Sequence, residues 1–198
     1  MADGKASTVK AVLVGDGGIG KTTFCITQTT GKFPKEFVPT VFDIRECDVK
    51  SKGKSFKLCF WDTAGREDYD RIRPLSYPGT NVFLVGFDIA NHCSLDNVRT
   101  KWIPEIANHC PGVPFILVGM KSDLRENEKI KQRLQERNES PVTFDEGTRM
   151  AVEIGATKYM ECSSLQNKGL TEAVDALSEV GSQHLLKSKK KKRKCIMM

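Results

Sequence analysis

Residues Gly15-Asp16-Gly17-Gly18-Ile19-Gly20-Lys21-Thr22-Thr23 match the spacing G-x-x-x-x-G-K-[ST] at Gly15, Gly20, Lys21 and Thr22. The apolar run Ala11-Val12-Leu13-Val14 lies directly before the loop and reads as a buried strand. A helix-compatible stretch, Thr22 to Thr30, follows it. Strand, glycine loop and helix in that order point to an α/β fold, and the loop's physical task is anion binding. Glycines let successive backbone N–H groups point inward with no Cβ in the way. The helix N-terminus adds partial positive charge. The pattern places Lys21 to reach β- and γ-phosphates and the Thr22 hydroxyl to ligate Mg²⁺. A glycine turn that binds nothing is the bland alternative; it would need four fixed positions and both flanking elements to coincide.

The net charge of +6 is carried by one end of the chain. Lys187 and the run Lys189 to Lys194 hold seven basic residues, and removing seven from +6 leaves −1 for the remainder. That balance argues against a nucleic-acid-binding body and for a tail that meets an anionic surface. The seven cysteines are an odd number without zinc-type spacing, and most sit in apolar runs as small core residues. They suit a reducing, cytosolic setting. The N-terminus lacks the apolar region of a signal peptide, and no apolar run approaches the roughly 20 residues that span a bilayer.

Strands and helices alternate along the chain. Thr8 to Val14 is the first strand, and Gly31 to Val41, with Pro34 and Pro39, is a long loop. Asp43 to Val49 and Ser55 to Trp61 flank a hairpin turn at Ser51-Lys52-Gly53-Lys54. Val82 to Ile89 is an interior parallel strand. Ser94 caps a helix through Asn108, with Leu95, Val98, Trp102 and Ile106 on its apolar face. Pro114 to Gly119 is a fifth strand, Leu124 to Val142 an exposed, charged helical insertion, and Thr143 to Glu146 a capping box for a helix to about Ile154. Lys158 to Cys162 is the last strand, and a final helix runs from Leu170 to Leu186. This pattern predicts a mostly parallel, six-stranded sheet with helices on both faces. Residues 1–186 form one domain and 187–198 a tail.

Three further motifs narrow the anion to a nucleotide. Asp62-Thr63-Ala64-Gly65 ends an apolar strand. Asp62 is placed to hold Mg²⁺, and the Gly65 N–H can bond a γ-phosphate and so sense its presence. Thr40, in the proline-bounded loop, can complete the Mg²⁺ shell. Lys121-Ser122-Asp123 follows the fifth strand. The Asp123 carboxylate can accept from guanine N1–H and the 2-amino group, which adenine does not offer, and the Lys121 stem can lie along the base. Cys162-Ser163-Ser164 can close the base pocket with backbone N–H groups. Each motif alone is weak, but together and in this order they are specific.

The chain resembles a Ras-superfamily small GTPase and, within that superfamily, the Rho family. The resemblance is carried by Val38-Pro39-Thr40-Val41-Phe42, Trp61-Asp62-Thr63-Ala64-Gly65, Glu67-Asp68-Tyr69-Asp70 and Arg73-Pro74-Leu75-Ser76-Tyr77-Pro78, and it runs from about Thr8 to the C-terminus. It implies a P-loop G domain in which Leu124 to Val142 is a Rho-type insert. It implies a monomeric GTP-on, GDP-off switch acting on the actin cytoskeleton, with no nucleic-acid partner. The implied partners are exchange factors, GTPase-activating proteins, a prenyl-binding dissociation inhibitor, and effectors such as formins or kinases. Phe33, Phe37 and Leu165 join the nucleotide-binding residues by the same resemblance. Val38, Thr40, Val41, Phe42, Tyr69 and Leu75 become the effector surface, and Lys21, Thr40, Gly65 and Arg66 the catalytic group.

The chain departs from the family at four positions. Arg66 stands where the family has Gln. A Gln amide both accepts from and donates to the attacking water, whereas Arg only donates, so slow hydrolysis is expected. Two alternatives are a built-in arginine finger on the γ-phosphate and a side chain turned to solvent. Met120 stands in place of the Asn of Asn-Lys-x-Asp and cannot tie the base loop to the phosphate loop, which predicts faster nucleotide release unless Met120 simply packs and the backbone compensates. Leu165 replaces a Lys, and Phe37 a Tyr. A GTP-locked effector-binding module is the main rival to a working switch, and a nucleotide-free scaffold the weaker one.

Cys195-Ile196-Met197-Met198 is a C-a-a-X box, with Met at the last position favouring farnesyl on Cys195. One lipid chain gives marginal membrane affinity, and the adjoining polybasic run supplies the second signal. These features predict the cytoplasmic face of the plasma membrane, in exchange with cytosol and associated with the cytoskeleton. A nuclear-localisation tail is the competing reading of the basic run.

Overall fold

The computed structural model describes residues 7–36, 40–51 and 53–196, without the side chains at positions 54 and 190–196. Strand β1 (Ser7–Val14) organises both cores. Alternate residues of a strand face opposite sides of the sheet. Val9, Ala11 and Leu13 accordingly pack with Phe24 of helix α1 (Lys21–Thr30) and with Val174 and Leu177 of helix α6 (Leu170–Ile196). Val12 and Val14 face the other way, toward Leu95, Trp102, Ile106 and Met150. These four belong to helix α2 (His92–Asn97), the π-helical turn Val98–Trp102, helix α3 (Ile103–His109) and helix α5 (Phe144–Glu153). Side chains on both faces of β1 are removed from water, which is why it reads as a continuous apolar run.

The remaining strands are β2 (Phe42–Ser51), β3 (Lys54–Thr63), β4 (Val82–Asp88), β5 (Phe115–Met120) and β6 (Tyr159–Cys162). The six strands lie in the order β2-β3-β1-β4-β5-β6, and only the β2–β3 pairing is antiparallel. In such a sheet, ligands bind beyond the carboxyl ends of the strands. β1, β3, β5 and β6 lead there into Gly15, Ala64, Lys121 and Ser163 respectively.

Several expected elements shift. Ser94 is not the cap of its helix: α2 already begins at His92, with Asn91 at the cap position. The Ser94 hydroxyl is buried, accepts from the Asp88 N–H at 2.9 Å and donates to the Asn91 carbonyl at 2.7 Å. The helix expected through Asn108 contains the π turn before continuing as α3. The β2–β3 turn is tighter than expected, because Ser51 already pairs with Lys54; Lys52 lies outside the described residues. Helix α6 runs ten residues past the expected end at Leu186, through the basic run to Ile196. Of the six cysteines described, only Cys25, Cys59 and Cys162 are buried, while Cys93 is exposed, so core packing accounts for half of them. Burial raises the pKa of these three thiols, which keeps them neutral.

The charged segment after Leu124 is anchored to the domain. A 3₁₀ turn (Ser122–Glu126) leads into helix α4 (Glu128–Gln135), whose N-terminus is capped by the Asn127 side chain accepting from the Ile130 N–H at 3.2 Å. Leu134 is buried. Arg125 grips Glu161 bidentately at 2.6 and 2.7 Å and donates to the Val142 carbonyl at 2.7 Å. The capping box forms as the sequence predicts: Thr143 Oγ1 accepts from the Glu146 N–H at 3.2 Å, and Glu146 accepts from the Thr143 N–H at 2.7 Å.

Candidate functional site

The glycine loop turns sharply because Gly15, Gly18 and Gly20 have φ of 140°, 79° and 111°, conformations that side chains rarely adopt. Gly20 occupies the cap position of α1 and offers no side chain to its first turn, so the helix N-terminus keeps amides available to a ligand. Gly17, Gly18, Gly20, Lys21, Thr22 and Thr23 line a cavity of about 260 Å³, together with Thr40, Thr63, Ala64, Gly65, Arg66 and Lys121. Gly15 lies beneath the loop, packed against the backbone of Gly86. Lys21 is buried and donates to the carbonyls of Gly15 at 2.7 Å and Asp16 at 2.8 Å. Desolvation lowers its pKa to about 8, with Asp62 and Asp16 opposing the shift. An anion in the cavity would raise that pKa again.

The three expected metal ligands converge. The Thr22 and Thr40 hydroxyls are 2.7 Å apart. Asp62 is 1% exposed, and neither of its carboxylate oxygens has a hydrogen-bond partner. Burial raises its pKa, with Thr22 and Lys21 pulling the other way. A buried carboxylate without partners is expensive unless a cation meets it. Two hydroxyls and a carboxylate are hard oxygen donors, so this group fits Mg²⁺.

The Ala64–Gly65 turn touches both neighbouring loops. Ala64 N–H donates to the Val41 carbonyl at 3.2 Å. A Cβ on Gly65 would run into the backbone of Gly15, Asp16 and Gly17, so only glycine lets this turn approach the phosphate loop so closely. Arg66 is exposed; it pairs with exposed Asp68 at 3.2 Å, and its Cγ lies 3.3 Å from where a Cβ on Gly17 would stand.

A second cavity of about 130 Å³ adjoins the first, and the two share Gly20, Thr23 and Lys121. Ile19, Phe33, Met120, Asp123, Ser164 and Leu165 complete its lining. Asp123 accepts from Ser163 Oγ at 2.5 Å, which fixes the carboxylate at the rim; Ser163 is buried behind it. Lys121 has φ 61°, and its ammonium bridges the Gly18 carbonyl and Asp88, each at 2.7 Å. The stem of Lys121 therefore crosses from the base loop to the phosphate loop. Met120 is buried, with Cε 3.1 Å from the position of a Cβ on Gly86. It lines the second cavity and packs against Gly86, while the Lys121 side chain links the base loop to the phosphate loop.

The Ras-family sequence model matches residues 10–181, most of the 198-residue chain. The chain belongs to the Ras family. Domains of this family bind guanine nucleotide with Mg²⁺, act as GTP hydrolases, and work with exchange factors, activating proteins and effectors. The two joined cavities of this Ras-family domain hold every nucleotide-site residue named from the sequence except Gly15, Phe37 and Ser163. Gly15 and Ser163 support the site from beneath and behind, and Phe37 lies outside the described residues, as does Val38 of the expected effector surface. Val41, Phe42 and Leu75 are exposed, whereas Thr40 and Tyr69 are half-buried. Cys195 falls within the bounds of α6, with its side chain outside the description. Among the described residues no helix is long and apolar enough to cross a membrane.

Sequence reasoning missed the residues that hold the site from outside. Asp16 accepts from Asn97 Nδ2 at 2.8 Å and Trp102 Nε1 at 2.7 Å. Asp16 is the one charged side chain between the glycines, a signal available in the sequence. Its partners Asn97, the last residue of α2, and Trp102, the last of the π turn, were not readable as a pair from a 3.6-residue period.

Proposed function

We propose that this Ras-family protein is a Rho-like switch that selects guanine nucleotide, hydrolyses GTP slowly and signals from a membrane. The observation that carries the nucleotide assignment is a pair of cavities that share Gly20, Thr23 and Lys121, the glycine loop and Lys21 lining one and Asp123 the other. Asp123, steadied by Ser163, is an acceptor set for guanine donors. Lys21 and the loop amides neutralise charge on the phosphates, and the Gly65 N–H reads the γ-phosphate. Thr22, Thr40 and Asp62 would hold Mg²⁺, which supplies charge neutralisation to the phosphates.

The Rho-like part of the proposal is supported by the Val38–Phe42 and Arg73–Pro78 wording and by the charged α4 segment. Val41, Phe42 and Leu75 are exposed apolar side chains and would contribute to the effector surface. The tail, residues 187–198, with Cys195 prenylated and seven basic residues beside it, would deliver the domain (residues 1–186) to the anionic cytoplasmic face of the plasma membrane. Exchange factors, activating proteins, a dissociation inhibitor, and formins or kinases are the proposed partners of a monomer acting on actin.

Arg66 favours a second reading, a GTP-held effector module with negligible turnover. It lines the phosphate cavity but offers donors only.

Competition against a fluorescent GDP tests the central assignment. GDP and GTP should displace it, and ADP should not. In Asp123→Asn the carboxylate becomes a donor as well as an acceptor, so preference should move from guanine toward xanthine, whose C2 carbonyl accepts. Equal displacement by ADP and GDP would overturn the assignment.

A further inference from the structure

The helix on the β4 side widens into a π turn at Val98–Trp102. Such turns are rare, and they gather at functional sites. In an α-helix, residues five apart point about 140° away from each other, as follows from 3.6 residues per turn. In a turn closed by i→i+5 bonds they come close to alignment. Asn97 and Trp102 are five apart, and both donate to one carboxylate, that of Asp16: Asn97 Nδ2 to Oδ2 at 2.8 Å and Trp102 Nε1 to Oδ1 at 2.7 Å. The π turn is the local geometry that lets both side chains meet the same acid.

Trp102 is fully buried and has a second partner. The Arg73 guanidinium lies 4.5 Å from the centre of its ring. Arg73 is itself buried, and its Nη1 donates to the Ala64 carbonyl at 3.1 Å. One indole therefore touches the phosphate loop through its N–H and the γ-phosphate-sensing turn through Arg73. The two loops also abut directly, at Gly65 against Gly15, Asp16 and Gly17.

We propose that Asn97 and Trp102 are positioning residues for the nucleotide site: they clamp Asp16, hold the glycine loop open to phosphate, and tie that loop through Arg73 to the Ala64–Gly65 turn. The inference rests on the nucleotide-site reading above. The loop needs such a clamp because three of its glycines sit at positive φ, where backbone freedom is greatest. It also needs one because of charge. Asp16 lines the neighbouring cavity with Asn97 and Lys101, outside the phosphate cavity. Released, its carboxylate would be free to turn toward the phosphates and repel them.

The test is the release rate of fluorescent GDP from the full chain in Mg²⁺, using a swap that a general loss of packing would not mimic. Asp16→Asn removes the charge, and its amide then faces the Asn97 amide donor. Asn97→Asp sets two carboxylates against each other. The double variant Asp16→Asn/Asn97→Asp restores complementarity, because an amide at 16 can donate to the acid at 97 and accept from Trp102. Each single variant should release GDP about tenfold faster, and the double variant should return to within about twofold of the natural protein, on the scale of one charge-assisted hydrogen bond. Trp102→Phe keeps the ring over Arg73 but loses the N–H, and should also release GDP about tenfold faster. In a Trp61→Phe background, the single remaining indole should change its emission on Asp16→Asn. The inference is overturned if natural protein binds GDP while the single variants and Trp102→Phe release it at the natural rate, or if the double variant is no better than the singles. Failure of the natural protein to bind GDP at all would overturn the nucleotide-site reading instead.

Discussion

The hydroxyls of Thr22 and Thr40 meet at 2.7 Å, although one opens a helix and the other ends a loop 18 residues later. Two threonine side chains from separate elements gain little from bonding to each other alone. Their meeting beside the buried, unpartnered carboxylate of Asp62 makes sense as a metal shell. Chelation of Mg²⁺ should therefore raise the GDP release rate at least tenfold. Asp62→Asn separates the metal role from a folding role. Without metal and nucleotide, removal of a buried charge should stabilise the protein by about 1 kcal/mol, which raises Tm by roughly 2–4 °C at this chain length. With Mg²⁺ and nucleotide present the same variant should melt lower than the natural protein. A thermal shift of one sign under both conditions would contradict the metal assignment.

Lys21 gives a pH prediction. Desolvation lowers its pKa to about 8, below the 10.5 of an unfolded lysine. The folded, ligand-free protein therefore binds this proton more weakly than the unfolded chain does. Its burial subtracts stability at pH below about 8, and the loss is recovered as pH rises through the window from about 8 to 10.5. Phosphate in the cavity reverses the shift, so nucleotide binding at pH 8.5 should take up a proton. Calorimetry of nucleotide-depleted protein in buffers of different ionisation enthalpy should show that uptake, and Lys21→Arg should abolish it. Buffer-independent binding enthalpy in the natural protein would show that Lys21 does not meet the phosphates.

Lys121 ties the base loop to the phosphate loop, and Met120 beside it has no amide to add to that tie. The Lys121 ammonium holds Gly18 and Asp88, while Met120 only packs. Lys121→Met should speed GDP release about tenfold, and Met120→Asn should slow it by a smaller factor. Stopped-flow release of a fluorescent GDP measures both. If Met120→Asn leaves the rate unchanged, packing and the Lys121 tie already replace the missing amide in full.

The Arg73–Glu105 pair is the most consequential buried charge outside the cleft. Arg73 is 3% exposed, bonded to Glu105, Asp70 and the Ala64 carbonyl, and Glu105 also accepts from the Tyr77 hydroxyl. Glu105→Ala leaves the guanidinium without its main partner, and should cost about 3–5 kcal/mol in denaturant unfolding. A loss under 1 kcal/mol would mean that Asp70 and solvent compensate.

The fold was legible wherever one physical rule dominated. β1 and β4 are apolar on both faces because helices cover both, and a run such as Val82 to Phe87 admits little else. The glycine loop, Asp62, Lys121 and Asp123 were legible because each motif lies at or just past the carboxyl end of a strand, and parallel strands bring those ends together. What escaped was set by tertiary contact. Ser94 looks like a cap, but the buried Asp88 N–H and Asn91 carbonyl claim its hydroxyl. Leu95, Val98, Trp102 and Ile106 keep apolar spacing through the π turn, so the pattern gave no sign of the widening. The expected end of the last helix at Leu186 fell short for a local reason: charge is a poor guide to backbone state, lysines are good helix formers, and α6 continues to Ile196.

Arg66 decides between a cycling switch and a held one, and hydrolysis in a single turnover measures it most directly. Protein purified in Mg²⁺ would first have its bound nucleotide identified by chromatography, and then be loaded with GTP beside an Arg66→Gln variant. The account predicts guanine nucleotide in the cleft, and hydrolysis at least tenfold slower in the natural protein than in the variant. Equal rates in the two would contradict it, showing that the exposed guanidinium at 66 leaves the attacking water undisturbed.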